Sequence, residues 1–172
     1  MIGNSRKILF LFVVIVHFFA LHSCKIEHID YPPEPQIEFL NTNVSIGQNV
    51  LGQSQVNINL VFYLIDGNGD VGLTQYDSIP PYDANFFPSL YGIKNGKLTL
   101  DTTLIANKYR IPWVGDLGQD KTLKATIYID FNYPFNEQYP FPYDSVVYSF
   151  YLVDRALNKS NIAWSDTIVI PK

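Results

Sequence analysis

Five apolar residues, Val56, Ile58, Leu60, Phe62 and Leu64, fall on every second position of the segment 54–66, with Asn57 and Asn59 interleaved. Successive side chains of a strand point to opposite faces, so this spacing predicts a β-strand with one face buried and the other wet. A helix would scatter the same residues around its circumference. Further along, Val61, Tyr63 and Ile65 make the second face apolar too. That change predicts a strand running through the centre of its sheet.

The same period recurs along the chain. Leu123, Ala125, Ile127, Ile129 and Phe131 alternate with Lys124, Thr126, Tyr128 and Asp130, and Val146, Tyr148, Phe150 and Leu152 share one face of 145–153. Residues 36–40 predict a short first strand and 164–170 a last one. Within 90–100, Asn95-Gly96 between strand-like flanks predicts a two-residue hairpin turn. No stretch of eleven residues shows helical periodicity. Seven or so strands divided by turn signals predict an all-β fold, a single Greek-key β-sandwich over 36–172, with a barrel as the competing closure. Twelve Tyr and twelve Phe supply bulk for the core, and with Cys24 the only cysteine no disulfide can form within the domain.

The first 35 residues read differently. Arg6 and Lys7 precede an apolar run from Ile8 to Ala20 broken only by His17. Thirteen residues fall short of the ~20 that a membrane-spanning helix needs, but they suit the apolar part of an export signal. Leu21-His22-Ser23-Cys24 follows, and it resembles the lipobox of bacterial lipoproteins. The resemblance implies a signal peptide over 1–23, cleaved so that Cys24 is lipidated with palmitate-type chains and anchors the protein to a membrane. Tyr31-Pro32-Pro33-Glu34-Pro35 favours an extended spacer, so 24–35 is read as lipidated cysteine and tether. Lys25, not Asp, follows the cysteine, which by resemblance to enteric sorting favours the outer membrane of the cell envelope. Loss of the signal removes Arg6 and Lys7 and leaves ten Lys and Arg against 16 Asp and Glu, a formal charge of −6. That balance argues against nucleic acid as a partner.

Two later segments carry a family resemblance. Phe62-Tyr-Leu-Ile-Asp-Gly-Asn-Gly-Asp-Val-Gly-Leu73 resembles a segment of uncharacterised lipoproteins from Bacteroidota. Leu152-Val-Asp-Arg-Ala-Leu-Asn-Lys-Ser-Asn161 resembles the turn before the last strand of bacterial immunoglobulin-like or fibronectin-type domains, with Leu157 where that turn usually has Gly. The resemblance implies an immunoglobulin-like sandwich and a cell-envelope location. It transfers no activity.

Asp66-Gly67-Asn68-Gly69-Asp70 spaces oxygen donors at alternate positions around glycines, as a loop wrapping calcium does, and Asp77 stands at the twelfth position. Val71 stands where an EF-hand loop needs glycine, which excludes that motif. Two readings stay open: a tight turn in which Asp and Asn bond their own backbone, or a calcium site formed by Asp66, Asn68, Asp70 and Asp77. In the second, Asp154 is a candidate further ligand and calcium the one structural cofactor.

After the signal is removed His28 is the only histidine, and it lies in the tether, so Ser-His, Cys-His and zinc chemistries lack their parts. The segment 131–143 carries six aromatics and three prolines. Tyr133, Phe135, Tyr139 and Phe141 are candidates for docking a protein or stacking on a sugar, unless the loop folds back as a lid over the sandwich. The sequence thus predicts a non-enzymatic, lipid-anchored envelope protein that binds or scaffolds another envelope component. Surface glycan binding is the alternative, and a carboxylate-dependent hydrolase a distant third.

Overall fold

The computed structural model describes residues 30–104, 108–115, 121–138 and 140–171. The segment read as an export signal, Cys24 and His28 lie outside the described residues. The fold is that of the unit Tyr31–Lys172. It is all-β: among the described residues there are eight strands and no helix long and apolar enough to cross a membrane.

The strands are β1 (Gln36–Gln48), β2 (Ser54–Asp66), β3 (Phe86–Lys94), β4 (Lys97–Asp101), β5 (Leu123–Pro134), β6 (Ser145–Leu152), β7 (Ala163–Trp164) and β8 (Ile168–Val169). They form two antiparallel sheets, one ordered β1-β2-β5 and the other β4-β3-β6-β7, with β8 also paired to β6. β2 is the central strand of its sheet, as its doubly apolar second half requires.

Side chains from both sheets meet in one core, consistent with a β-sandwich. The Phe62 ring of β2 stacks on Phe86 of β3 at 5.5 Å between centroids and tilts against Phe150 of β6 at 5.2 Å. Phe131 of β5 stacks on Tyr148 of β6 at 4.7 Å. Stacked and tilted aromatic pairs add roughly 0.5–1.5 kcal/mol each beyond the area they bury.

Asn95 and Gly96 both take positive φ, 52° and 73°, and close the β3–β4 hairpin in the two-residue turn expected of them. The first strand is longer than 36–40. It pairs with β2 out to Gln48, with a bulge between Phe39 and Asn41. The expected last strand is two short ones. Between them Ser165 donates its amide to the Tyr148 carbonyl (2.8 Å), while its Oγ accepts from the Tyr148 amide (2.9 Å).

The polar residues of the segment 154–161 hold its turn together. Asp154 accepts from the Asn158 amide and side chain, and Ser160 Oγ accepts from the Leu152 amide (3.0 Å). The Asn161 side chain both accepts from and donates to the Ile37 backbone, each at 2.8 Å, joining β1 to the other sheet. Leu157 takes φ 67°, the left-handed conformation that glycine adopts more readily than leucine.

Candidate functional site

The chain leaves β2 at Asp66 and turns back through Gly67–Gly72. Asp66 Oδ2 accepts from the Val71 amide at 2.9 Å, which closes the loop on itself. Gly69 and Gly72 both have positive φ, 64° and 114°. A Cβ on Gly67 would lie 2.3 Å from the carbonyl oxygens of Tyr31 and Pro32, so only glycine admits the entering chain there. The Gly67 amide donates to the Pro32 carbonyl at 3.0 Å, and Lys124 Nζ sits 4.3 Å above the Tyr31 ring. The chain is therefore already packed against the domain at Tyr31 and Pro32, inside the segment read as tether.

Across from this loop lies the turn after β6. Arg155 donates to the Asp70 carbonyl through its amide (3.2 Å) and its Nε (3.1 Å), and the Ala156 amide donates to Asp70 Oδ2 (3.2 Å). These bonds bring Asp154 beside Asp66 and Asp70. One oxygen from each of the three carboxylates lies within 4.8 Å of the other two. Asp66 is 0% exposed and Asp154 2%.

Burial, and then mutual repulsion among the carboxylates, push the Asp66 and Asp70 carboxyls above their ordinary range. Arg155 offsets part of this at Asp70. Three buried or half-buried acceptors have no hydrogen-bond partner: Asp66 Oδ1, Asn68 Oδ1 and Asp70 Oδ1. Oxygen donors alone, without histidine or cysteine, suit a hard cation.

Asp77 is not part of this cluster, which corrects its assignment as a ligand. Its Oδ2 accepts from the Thr74 amide (2.6 Å) and hydroxyl (2.8 Å), capping a separate turn. The third carboxylate comes from Asp154, carried in by the β6 turn.

The aromatic segment divides in two. β5 continues to Pro134, and Tyr133 points inward: it is 4% exposed, and its hydroxyl shares a 2.6 Å hydrogen bond with that of Tyr148. Its candidacy as a binding residue is thereby corrected, because alternation with Phe131 turns it into the core. Phe135 and Phe141 are partly buried, pack on the core edge and line a cavity of about 480 Å3 with Val56, Ile46, Tyr143 and Ile170. Lys94 and Asp144 stand at the same cavity. Tyr139 lies outside the described residues.

A second aromatic surface has no signal in the loops. On the outer face of the β3-β6-β7 sheet, Phe87 stacks with Tyr151 at 5.0 Å and Tyr91 packs on Trp164 at 5.2 Å. Ser89 and Ser149, paired across β3 and β6, lie between the two pairs. The signal was present in the odd positions of β3, whose even positions face the core.

No protein-family model, no curated protein and no solved structure matches the chain.

Proposed function

We propose that the chain is a lipid-anchored protein of the bacterial cell envelope, fixed through Cys24 to the outer membrane, whose β-sandwich binds a protein partner without catalysis of its own. The lipobox-like sequence and the resemblance to Bacteroidota lipoproteins with immunoglobulin-like domains support the address. The observation that carries the binding role is the separation of two features along β2. Asp66, at one end of the strand, lies beside the entering segment Tyr31–Pro32, whereas Val56, towards the other end, lines the Phe135–Phe141 groove. Ten positions of strand put the groove ~33 Å from the entering chain. A domain anchored at one end and grooved at the other offers the groove to partners away from its anchor. Such a groove accepts apolar side chains, with Lys94 at its edge to fix orientation.

Labelled palmitate should enter the full chain in a bacterial host, and Cys24→Ala should abolish both the label and membrane retention. A photo-crosslinking residue at position 141 should then give a discrete protein adduct in intact membranes, lost on Phe135→Ala. Absence of label overturns the anchor, and absence of any adduct overturns the groove.

A second reading has its own observation. The stacked pair Phe87–Tyr151 and the tilted pair Tyr91–Trp164, with Ser89 and Ser149 between, suit sugar rings. It predicts that Trp164→Ala weakens retention of the protein in gels cast with envelope polysaccharide.

A further inference from the structure

We propose that Asp66, Asn68, Asp70 and Asp154 bind one calcium ion, which fastens the turn after β6 to the end of β2 beside the point where the chain enters the domain. The inference is independent of the anchor and of the groove.

Proximity of acids alone would not make a site. What points to a ligand is the division of labour between their oxygens. Asp66 and Asp70 each use Oδ2 to hold the frame, accepting from the Val71 and Ala156 amides. Each keeps Oδ1 buried and without a donor, and Asn68 Oδ1 is in the same condition. Asp66 is completely buried, so that oxygen has no contact with bulk solvent. A buried acceptor with no donor is costly, and proteins nearly always satisfy one. A folded loop that leaves three such acceptors, two of them on carboxylates that converge with that of Asp154, is arranged for a cation.

Geometry and chemistry narrow the choice of ion. Two oxygens bound to one calcium at 2.3–2.6 Å lie at most about 5 Å apart, and one oxygen from each of the three carboxylates falls within 4.8 Å of the other two. Four side chains supply part of a shell of six to eight oxygens, leaving room for water or carbonyls, which calcium tolerates and the stricter octahedron of magnesium does not. Soft-metal chemistry has no donor here. Charge agrees: three carboxylates face one guanidinium, that of Arg155, and a divalent ion neutralises the remainder.

The site also has a mechanical consequence. Its ligands come from the β2 end and from the turn after β6, and the loop between them holds Pro32 through Gly67. Calcium therefore sets how firmly the entering segment is seated.

The test uses the full chain in detergent, stripped with chelator. Extracellular-type sites have dissociation constants of about 0.1–1 mM. At ~0.1 mM affinity, ~2 mM calcium should raise the melting temperature by roughly 4–7 °C. Magnesium at the same concentration should give a clearly smaller rise. Terbium should bind with luminescence excited through the protein, since Trp113 adjoins Gly72 and Arg155. Asp70→Asn should abolish the calcium rise while melting no lower than wild type without calcium, because it relieves repulsion. Asn68→Ala should weaken calcium at least several-fold with no loss of calcium-free stability, an outcome a purely structural asparagine would not give. Asp77→Asn should respond as wild type does. A wild-type protein with neither a calcium rise nor terbium emission overturns the site, as does a full response in Asp70→Asn. An equal rise with magnesium overturns the choice of calcium.

Discussion

Asp101 shows how much a single side chain holds at the end of β4. Its Oδ1 accepts from the Thr103 amide (2.6 Å), the Thr103 hydroxyl (3.1 Å) and the Leu104 amide (2.8 Å), while Oδ2 accepts from the Tyr143 hydroxyl. Burial works to raise its pKa, but the donors outweigh it and the carboxyl titrates below its ordinary range. The same bond to Asp101, with burial, pushes the Tyr143 hydroxyl up to about 12. A depressed carboxyl pKa means stability that is full above the ordinary carboxylate range and is lost as pH falls through the folded-state value. Asp101→Asn should cost about 1–2 kcal/mol at neutral pH, a fall of roughly 2–8 °C in melting temperature. The gap between variant and wild type should close as pH drops below ~4. Melting curves at both ends of that range decide it, and a gap that stays constant rules out the carboxylate as its source. At this scale the sequence was legible where spacing is local. Asp66, Asn68 and Asp70 were visible because they sit within one loop. Asp77 was misassigned because the twelfth position has meaning only when helices bring it back. Asp154, named in the sequence as a candidate further ligand, reaches the cluster through tertiary bonds such as that between Arg155 and Asp70, 85 positions apart, so its place there is set by the fold and not by local spacing.

Strands were legible in proportion to how unequal their faces are. β2, β5 and β6 each bury one face, so period-two alternation marks them. β1 beyond Leu40 is an edge strand with no buried residue, and its Asn, Thr and Ser read as loop until β2 is alongside to pair with them. β5 was cut short for a related reason. Asn132 and Pro134 look like turn residues, but β5 is the outer strand of its sheet, where a proline deprives no neighbour of a donor. Tyr133 therefore belongs to the strand and faces inward. Tyr133→Ala should cost about 3–5 kcal/mol, as removal of a large buried side chain does. Tyr133→Phe should cost only ~1–3 kcal/mol, the penalty of leaving the Tyr148 hydroxyl without its buried partner. Chemical denaturation of both variants checks the pair. A Tyr133→Ala protein as stable as wild type would return this residue to the surface.

The whole molecule has two sheets but one interior. Phe62 of the first sheet touches Phe86 and Phe150 of the second, Phe131 and Tyr133 of the first reach Tyr148 of the second, and Asn161 ties the second to Ile37 of β1. Neither sheet has a separate core to retain if the other leaves, because the inner faces of β2, β3, β5 and β6 all contribute to a single cluster. Removing either sheet would expose Phe62 or Phe150 to water, at roughly 1.5–3 kcal/mol for each side chain of this size. Partial unfolding of one sheet is therefore penalised many times over, and the domain should unfold as a unit. In urea, far-ultraviolet circular dichroism follows both sheets. Tryptophan fluorescence follows Trp164, on β7 of the second sheet, and Trp113, beside the loop that ends β2. The two transitions should share one midpoint, with a slope in the range of about 1–3 kcal/mol/M found for small domains. Midpoints that separate, with fluorescence changing while half the strand signal persists, would show that the sheets come apart independently.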